Sequence, residues 1–141
     1  AGLRIGYIAG SSILIDKLRE KVGEKIYPVS SVSVNAALVV LEEENYFRKL
    51  RKRIVRRKKN FESVLKSLGF KVMESHTNMT VIKFASEREA TNFKRYLEKH
   101  NIKVTQGGDS LVYGLDDSFI RIACGTESQM RYLIGILKGL R

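Results

Sequence analysis

The sequence predicts a mixed α/β chain in two parts: a strand and helix that complete a larger sheet, then a small α+β domain. Three observations carry this. Short apolar runs of strand length recur around Leu3, Lys71, Thr80, Ile102 and Phe119, while the longer stretches between them space apolar residues as a helix does. The order is one strand, three helices, then strands interleaved with two helices, which fits neither an all-helical nor an all-strand architecture. The only proline, Pro28, falls between the two parts and punctuates them.

Each element has its own signal. Leu3 to Ala9 reads as a strand bounded by Gly2 and Gly10. Ser11 or Ser12 caps a helix carrying Ile13, Leu14, Leu18 and Val22, and Gly23 stops it. Lys25 to Ser30 is an extended connector, because the residue before a proline avoids the helical region. Ser30, Ser31 or Ser33 opens a second helix bearing Val34, Ala37, Leu38 and Leu41. A long helix follows, with Phe47, Leu50, Ile54, Phe61, Val64, Leu65 and Leu68 on one stripe and a basic run from Arg48 to Lys59 around the rest; Gly69 ends it. Lys71 to Ser75 and Thr80 to Phe84 read as strands. Ser86 caps a helix through Glu89, with Ala90, Phe93, Tyr96 and Leu97 facing inward. Ile102 to Thr105 is a short strand, Gln106 to Asp117 a glycine- and aspartate-rich loop, and Phe119 to Cys124 the last strand. Thr126 caps a final helix with Leu133, Ile134 and Leu137 on its apolar face. The expected division is residues 1–30 and residues 31–141, the second including the long helix.

Composition bounds the function. The 141 residues are 43% apolar and 29% charged, the balance of a globular domain. No stretch approaches the ~20 apolar residues that span a bilayer, so no membrane partner is expected. One cysteine, Cys124, excludes an intrachain disulfide framework and fits a reducing, cytoplasmic setting. Two scattered histidines and that cysteine give no metal-ligand spacing. The net charge of +11 raises the question of nucleic acid. The basic run holds no interleaved aromatic partners for base stacking, and on a helix it spreads over a solvated face, so nucleic acid is not the expected partner.

Two arginines interrupt apolar strands: Arg4 in Ala1-Gly2-Leu3-Arg4-Ile5-Gly6-Tyr7, and Arg121 in Phe119-Ile120-Arg121-Ile122-Ala123-Cys124-Gly125-Thr126. A guanidinium is expensive to bury without an anion, and its planar fork matches phosphate or carboxylate. Read by residue type alone, Arg4 is either an anion ligand or a strand-edge arginine reaching water, and Arg121 either a ligand or half of a structural salt bridge.

These segments resemble pyridoxal-phosphate enzymes of the class I/II aminotransferase family, fold type I, and most of all the histidinol-phosphate aminotransferase branch. There Gly-Leu-Arg-x-Gly-Tyr follows shortly after the cofactor-binding lysine. Ile26-Tyr27-Pro28 is similar to a family stretch between the domains near the dimer interface, and Thr77-Asn78-Met79-Thr80 to one ahead of the small domain's first strand. The resemblance runs along almost the whole chain, with its specific parts at the two ends. It implies that Arg4 binds the phosphate of pyridoxal phosphate, that Arg121 grips the substrate α-carboxylate, and that Asn78 and Tyr27 lie among the substrate-binding residues. It implies that the chain is the C-terminal small domain plus the last strand and helix of the large domain, that the Schiff-base lysine lies about five residues before Ala1, and that no catalytic residue falls within the chain. The parent is then an aminotransferase, expected as a homodimer acting on a small amino-acid substrate, while this chain alone is inactive. One departure stands out: Thr105 occupies the place where histidinol-phosphate relatives commonly carry a phosphate-binding arginine, which puts a phosphorylated substrate in doubt. Lys103, two residues earlier, could reach the same face. An amino-acid decarboxylase of the same fold and, from another class, a basic nucleic-acid-binding α/β module are the alternatives.

Overall fold

The computed structural model describes residues 3–22, 29–107 and 114–140. The chain divides into two compact units, Ala1–Lys49 and Leu50–Arg141.

In the first unit, α1 (Ser12–Val22) and α2 (Ser31–Glu42) form where serine-led apolar runs predict them. The Ser11 hydroxyl accepts a hydrogen bond from the Leu14 N–H at 3.4 Å, near the start of α1. Ser33 is the buried residue of α2, and its hydroxyl donates to the Leu3 carbonyl at 2.8 Å. By contrast, Ile13, Leu14, Val32, Val34, Leu38, Val39 and Leu41 are exposed. The strand expected over Leu3 to Ala9 does not form; these residues have no regular structure and take no place in the sheet. Alternating apolar residues make a strand only where a neighbouring strand pairs their N–H and C=O groups, and none does so here. Gly23, Tyr27 and Pro28, with the connector's first residues, lie outside the described residues.

The division between units falls within α3 (Glu44–Ser67). At its end Gly69 takes φ 88°, and the Phe70 N–H reaches back to Leu65 O and the Gly69 N–H to Lys66 O, both at 3.0 Å. That glycine-dependent C-terminal motif stops the helix. The second unit then builds a four-stranded antiparallel sheet in the order β1 (Lys71–Met73), β2 (Met79–Lys83), β4 (Phe119–Ala123), β3 (Thr105–Gln106), with α4 (Glu87–Lys99) and α5 (Glu127–Lys138) between strands and after them. The Ser86 hydroxyl accepts from the Glu89 N–H to begin α4, and Thr126 with Gln129 closes a full capping box on α5.

β3 is shorter than the predicted Ile102 to Thr105 and lies further along. Asn101 adopts φ 59°, and the Ile102 N–H is tied back to Leu97 O at 3.0 Å, so Ile102 belongs to the helix termination and pairing begins only at Thr105. Phe61 and Leu65 of α3, Ala90, Phe93 and Leu97 of α4, and Met130, Leu133 and Leu137 of α5 form one core with Ile82, Ile120 and Ile122 of the sheet. All three helices therefore cover the same side of the sheet. Burying these side chains stabilises the unit by roughly 1.5–3 kcal/mol each relative to exposure.

Candidate active-site face of the sheet

Strand alternation follows from this core. Ile120 and Ile122 point to the helices, so Phe119, Arg121 and Ala123 point the other way. Their register partners on β2 are Lys83, Val81 and Met79, each part-buried, and Thr105 of β3 stands opposite Arg121. Arg121 thus occupies the middle of the sheet face turned away from α3, α4 and α5, between Val81 and Thr105. It is half-buried. A guanidinium held on a rigid strand presents its planar fork in a set direction, a geometry that matches planar anions.

At one end of this face Lys83 lies over the Phe119 ring, 4.0 Å from its centre, and pairs with the Asp116 carboxylate at 3.4 Å. Ser118 bonds both Lys83 and Asp116 through its hydroxyl, and its N–H donates to Asp116 at 2.9 Å. These Ser118 bonds, side chain before backbone, hold the Asp116 carboxyl below the usual aspartate value; slight burial opposes them and Lys83 adds to them. No sequence motif announced this cluster. The lysine and aspartate are far apart in the chain and meet because Lys83 pairs with Phe119, next to Ser118.

Asn78 is exposed and lies just before β2. Its carbonyl accepts from the Cys124 N–H at 2.9 Å, which puts it three residues along β4 from Arg121, about 10 Å at strand rise. The turn leading to Asn78 is pinned from α3. Lys58, buried on that helix, donates to the Ser75 carbonyl and pairs with Glu62 at 3.2 Å, and Glu62 accepts from the Thr80 hydroxyl at 3.3 Å. The sequence places Lys58 in a solvated basic run, whereas it is buried here; its spacing of four from Glu62 is the signal for the pair.

Arg4 belongs to the first unit. It is exposed and takes φ 51°, a left-handed conformation uncommon for a side chain other than glycine, asparagine or aspartate. Tyr27 lies outside the described residues. The sheet therefore sets Arg121 in mid-strand on the face turned away from the helices and leaves Asn78 ahead of β2, opposite Cys124, so it does not place the two side by side. Among the described residues no group of histidine, cysteine, aspartate and glutamate could hold a metal, and no helix is long and apolar enough to cross a membrane.

The model of the family described as aminotransferase class I and II matches residues 1–137. Histidinol-phosphate aminotransferase 1 of Bordetella parapertussis is 31% identical over 139 residues, covering 98% of this chain and 38% of that protein. Among solved structures, histidinol-phosphate aminotransferase from Sinorhizobium meliloti in complex with pyridoxal-5'-phosphate is similar with a TM-score of 0.64 at 18% identity, over 89% of this chain and 34% of that one. L-threonine-O-3-phosphate decarboxylase from Porphyromonas gingivalis gives a TM-score of 0.66 at 26% identity, over 99% and 42%. The chain thus spans well under half the length of these relatives.

Proposed function

The chain belongs to the aminotransferase class I and II family, and from that premise we propose that it is the C-terminal part of a pyridoxal-phosphate-dependent aminotransferase moving an amino group between an amino acid and a 2-oxo acid. The observation that carries the reading is Arg121, set in the centre of the sheet face turned away from the helices, between Val81 and Thr105. In this reading residues 1–30 finish the large domain and residues 31–141 form the small one. The exposed apolar residues of α1 and α2 support further polypeptide packing there, from the large domain and from a second subunit of a cytoplasmic homodimer.

The residues have distinct tasks. Arg4 holds the phosphate of the cofactor by charge-assisted hydrogen bonds. Arg121 clamps the substrate α-carboxylate and so fixes the orientation of the bonds at Cα, while Val81, Met79 and Phe119 keep that face poor in water. Asn78 and Tyr27 complete the substrate side. The cofactor supplies the electron sink when bound. Proton transfer falls to the lysine expected before Ala1, so the 141 residues alone carry no turnover.

The test is Arg121→Ala in the full protein. Loss of a charge-assisted pair, about 1.5–3 kcal/mol, raises KM for amino donors by roughly ten- to a hundredfold. An unchanged KM removes the carboxylate role. Arg4→Ala is expected to purify with less bound cofactor, and a fully yellow variant counts against its phosphate role. The similarity to a threonine-phosphate decarboxylase favours a second reading, loss of carbon dioxide on the same scaffold. Product analysis separates the two: a 2-oxo acid for transfer, carbon dioxide for decarboxylation.

A further inference from the structure

The basic run has a destination that the reading above leaves unused. On the helical side of the second unit, α3 and α5 enclose a groove of about 520 Å³ lined by Arg53, Arg56, Arg57 and Arg131, with Asn60 and Glu127 beside them and Met130 and Ile134 also in the lining. Arg53 lies three residues from Arg56 and four from Arg57, so both neighbour it on the side of α3 that lines the groove. Arg57 is locked in place: its Nη1 donates to the Gly125 carbonyl at 2.8 Å, at the entry to α5, and the side chain is half-buried. Arg131 reaches the only acid of the lining, Glu127, at no better than 3.9 Å, and both side chains are mostly exposed. Four guanidinium groups thus converge on one concavity against a single loosely paired carboxylate. Helical neighbours of like charge repel, and these arginines keep their charge with no acid of α3 in the lining.

We propose that the α3–α5 groove binds a compact, multiply charged phosphate chain, free as an oligophosphate or carried by a nucleotide. Guanidinium forks bind phosphate oxygens in pairs, which ammonium groups do not do. The lining holds no aromatic ring on which a base could stack, so recognition rests on the phosphates alone. The site includes neither Arg4 nor Arg121 and does not depend on the aminotransferase reading.

The experiment is calorimetric titration of the intact protein, presaturated with pyridoxal phosphate, with inorganic tripolyphosphate and separately with ATP at about 50 mM salt, where surface charge is weakly screened. Both anions are expected to bind with similar affinity. The exposed pair Arg53→Gln/Arg56→Gln, and independently Arg131→Gln on the other helix, are each expected to weaken binding at least about tenfold, with unchanged thermal unfolding. The control Lys17→Gln/Lys21→Gln on α1 removes equal charge elsewhere and is expected to change little. Absence of binding, equal weakening by the control, or binding of ATP alone each overturns the proposal.

Discussion

Arg121 and Thr105 stand directly opposite each other on neighbouring antiparallel strands, on the sheet face turned away from every helix of their unit. Opposed residues on one face of a sheet have Cβ atoms about 4.5–5.5 Å apart. A ligand gripped by Arg121 therefore meets a neutral hydroxyl, not a second cation, at this neighbour. Thr105→Arg puts a second fork beside the first. The expected outcome is a rise in kcat/KM for phosphorylated over unphosphorylated donors in the full protein. Like charges directly opposite cost about 0.2–1 kcal/mol of stability. A preference unmoved by the substitution removes Thr105 from specificity.

Much of the helical side of this unit is legible from local signals. The cap at Ser86, with Glu89 three residues on, and the stripe of Phe61 and Leu65 depend on residues within a turn or two, and both formed as read. Arg121 stood out because a charge in an apolar strand has few physical explanations. What failed was non-local. Leu3 to Ala9 has strand composition, but strand structure depends on a partner strand that composition does not reveal. The displacement of β3 came from Asn101 in a left-handed conformation, a role shared by too many asparagines to be read in advance. Lys58 looked like one more solvated lysine until the β1–β2 turn was folded against it, and Lys83, Asp116 and Ser118 met only through sheet register.

Gly107 sits where two backbones approach. A Cβ there would fall 2.0 Å from the Asp116 carbonyl oxygen, a backbone atom with no side-chain freedom to yield. Gly107→Ala is expected to lose about 1–3 kcal/mol, the usual range for overpacking. Gly135, inside α5 with nothing within 4 Å of its added Cβ, is the opposite case. Gly135→Ala is expected to gain about 0.5–1 kcal/mol from helix propensity. Urea denaturation of both variants checks the contrast, and equal stabilities would refute the close approach.

Asp116 gives the sheet's Lys83 end a defined acid response. Its carboxyl is held low, first by Ser118 and then by Lys83. A carboxyl whose folded pKa lies below its unfolded value contributes stability above the unfolded value, about 3.9, and loses it as pH falls through the folded value. Stability should therefore decline in acid below about pH 4, and Asp116→Asn should flatten that decline. Carboxyl titration by NMR supplies the direct check: a midpoint at or above the free-aspartate value contradicts the hydrogen-bonded geometry.

Cys124 titrates in the opposite sense. It follows β4, half-buried, with its Sγ directed to the Ile54 carbonyl at 3.7 Å. Burial pushes the thiol up, while Arg57 and then Lys58 pull it part of the way back. The neutral thiol is thus favoured by folding, and its share of the stability is present below the usual thiol pKa and lost as pH rises through the raised value. Only the thiolate is nucleophilic, and each unit of raised pKa removes about nine-tenths of it near neutrality. Alkylation by iodoacetamide at neutral pH is expected to be several-fold slower in the native protein than in the same chain unfolded in urea. The native rate should climb with pH beyond the point where a free cysteine has levelled off. Arg57→Gln, which takes away the larger opposing charge, should slow it further. Native Cys124 reacting as fast as the unfolded chain would mean that its surroundings do not desolvate the thiol.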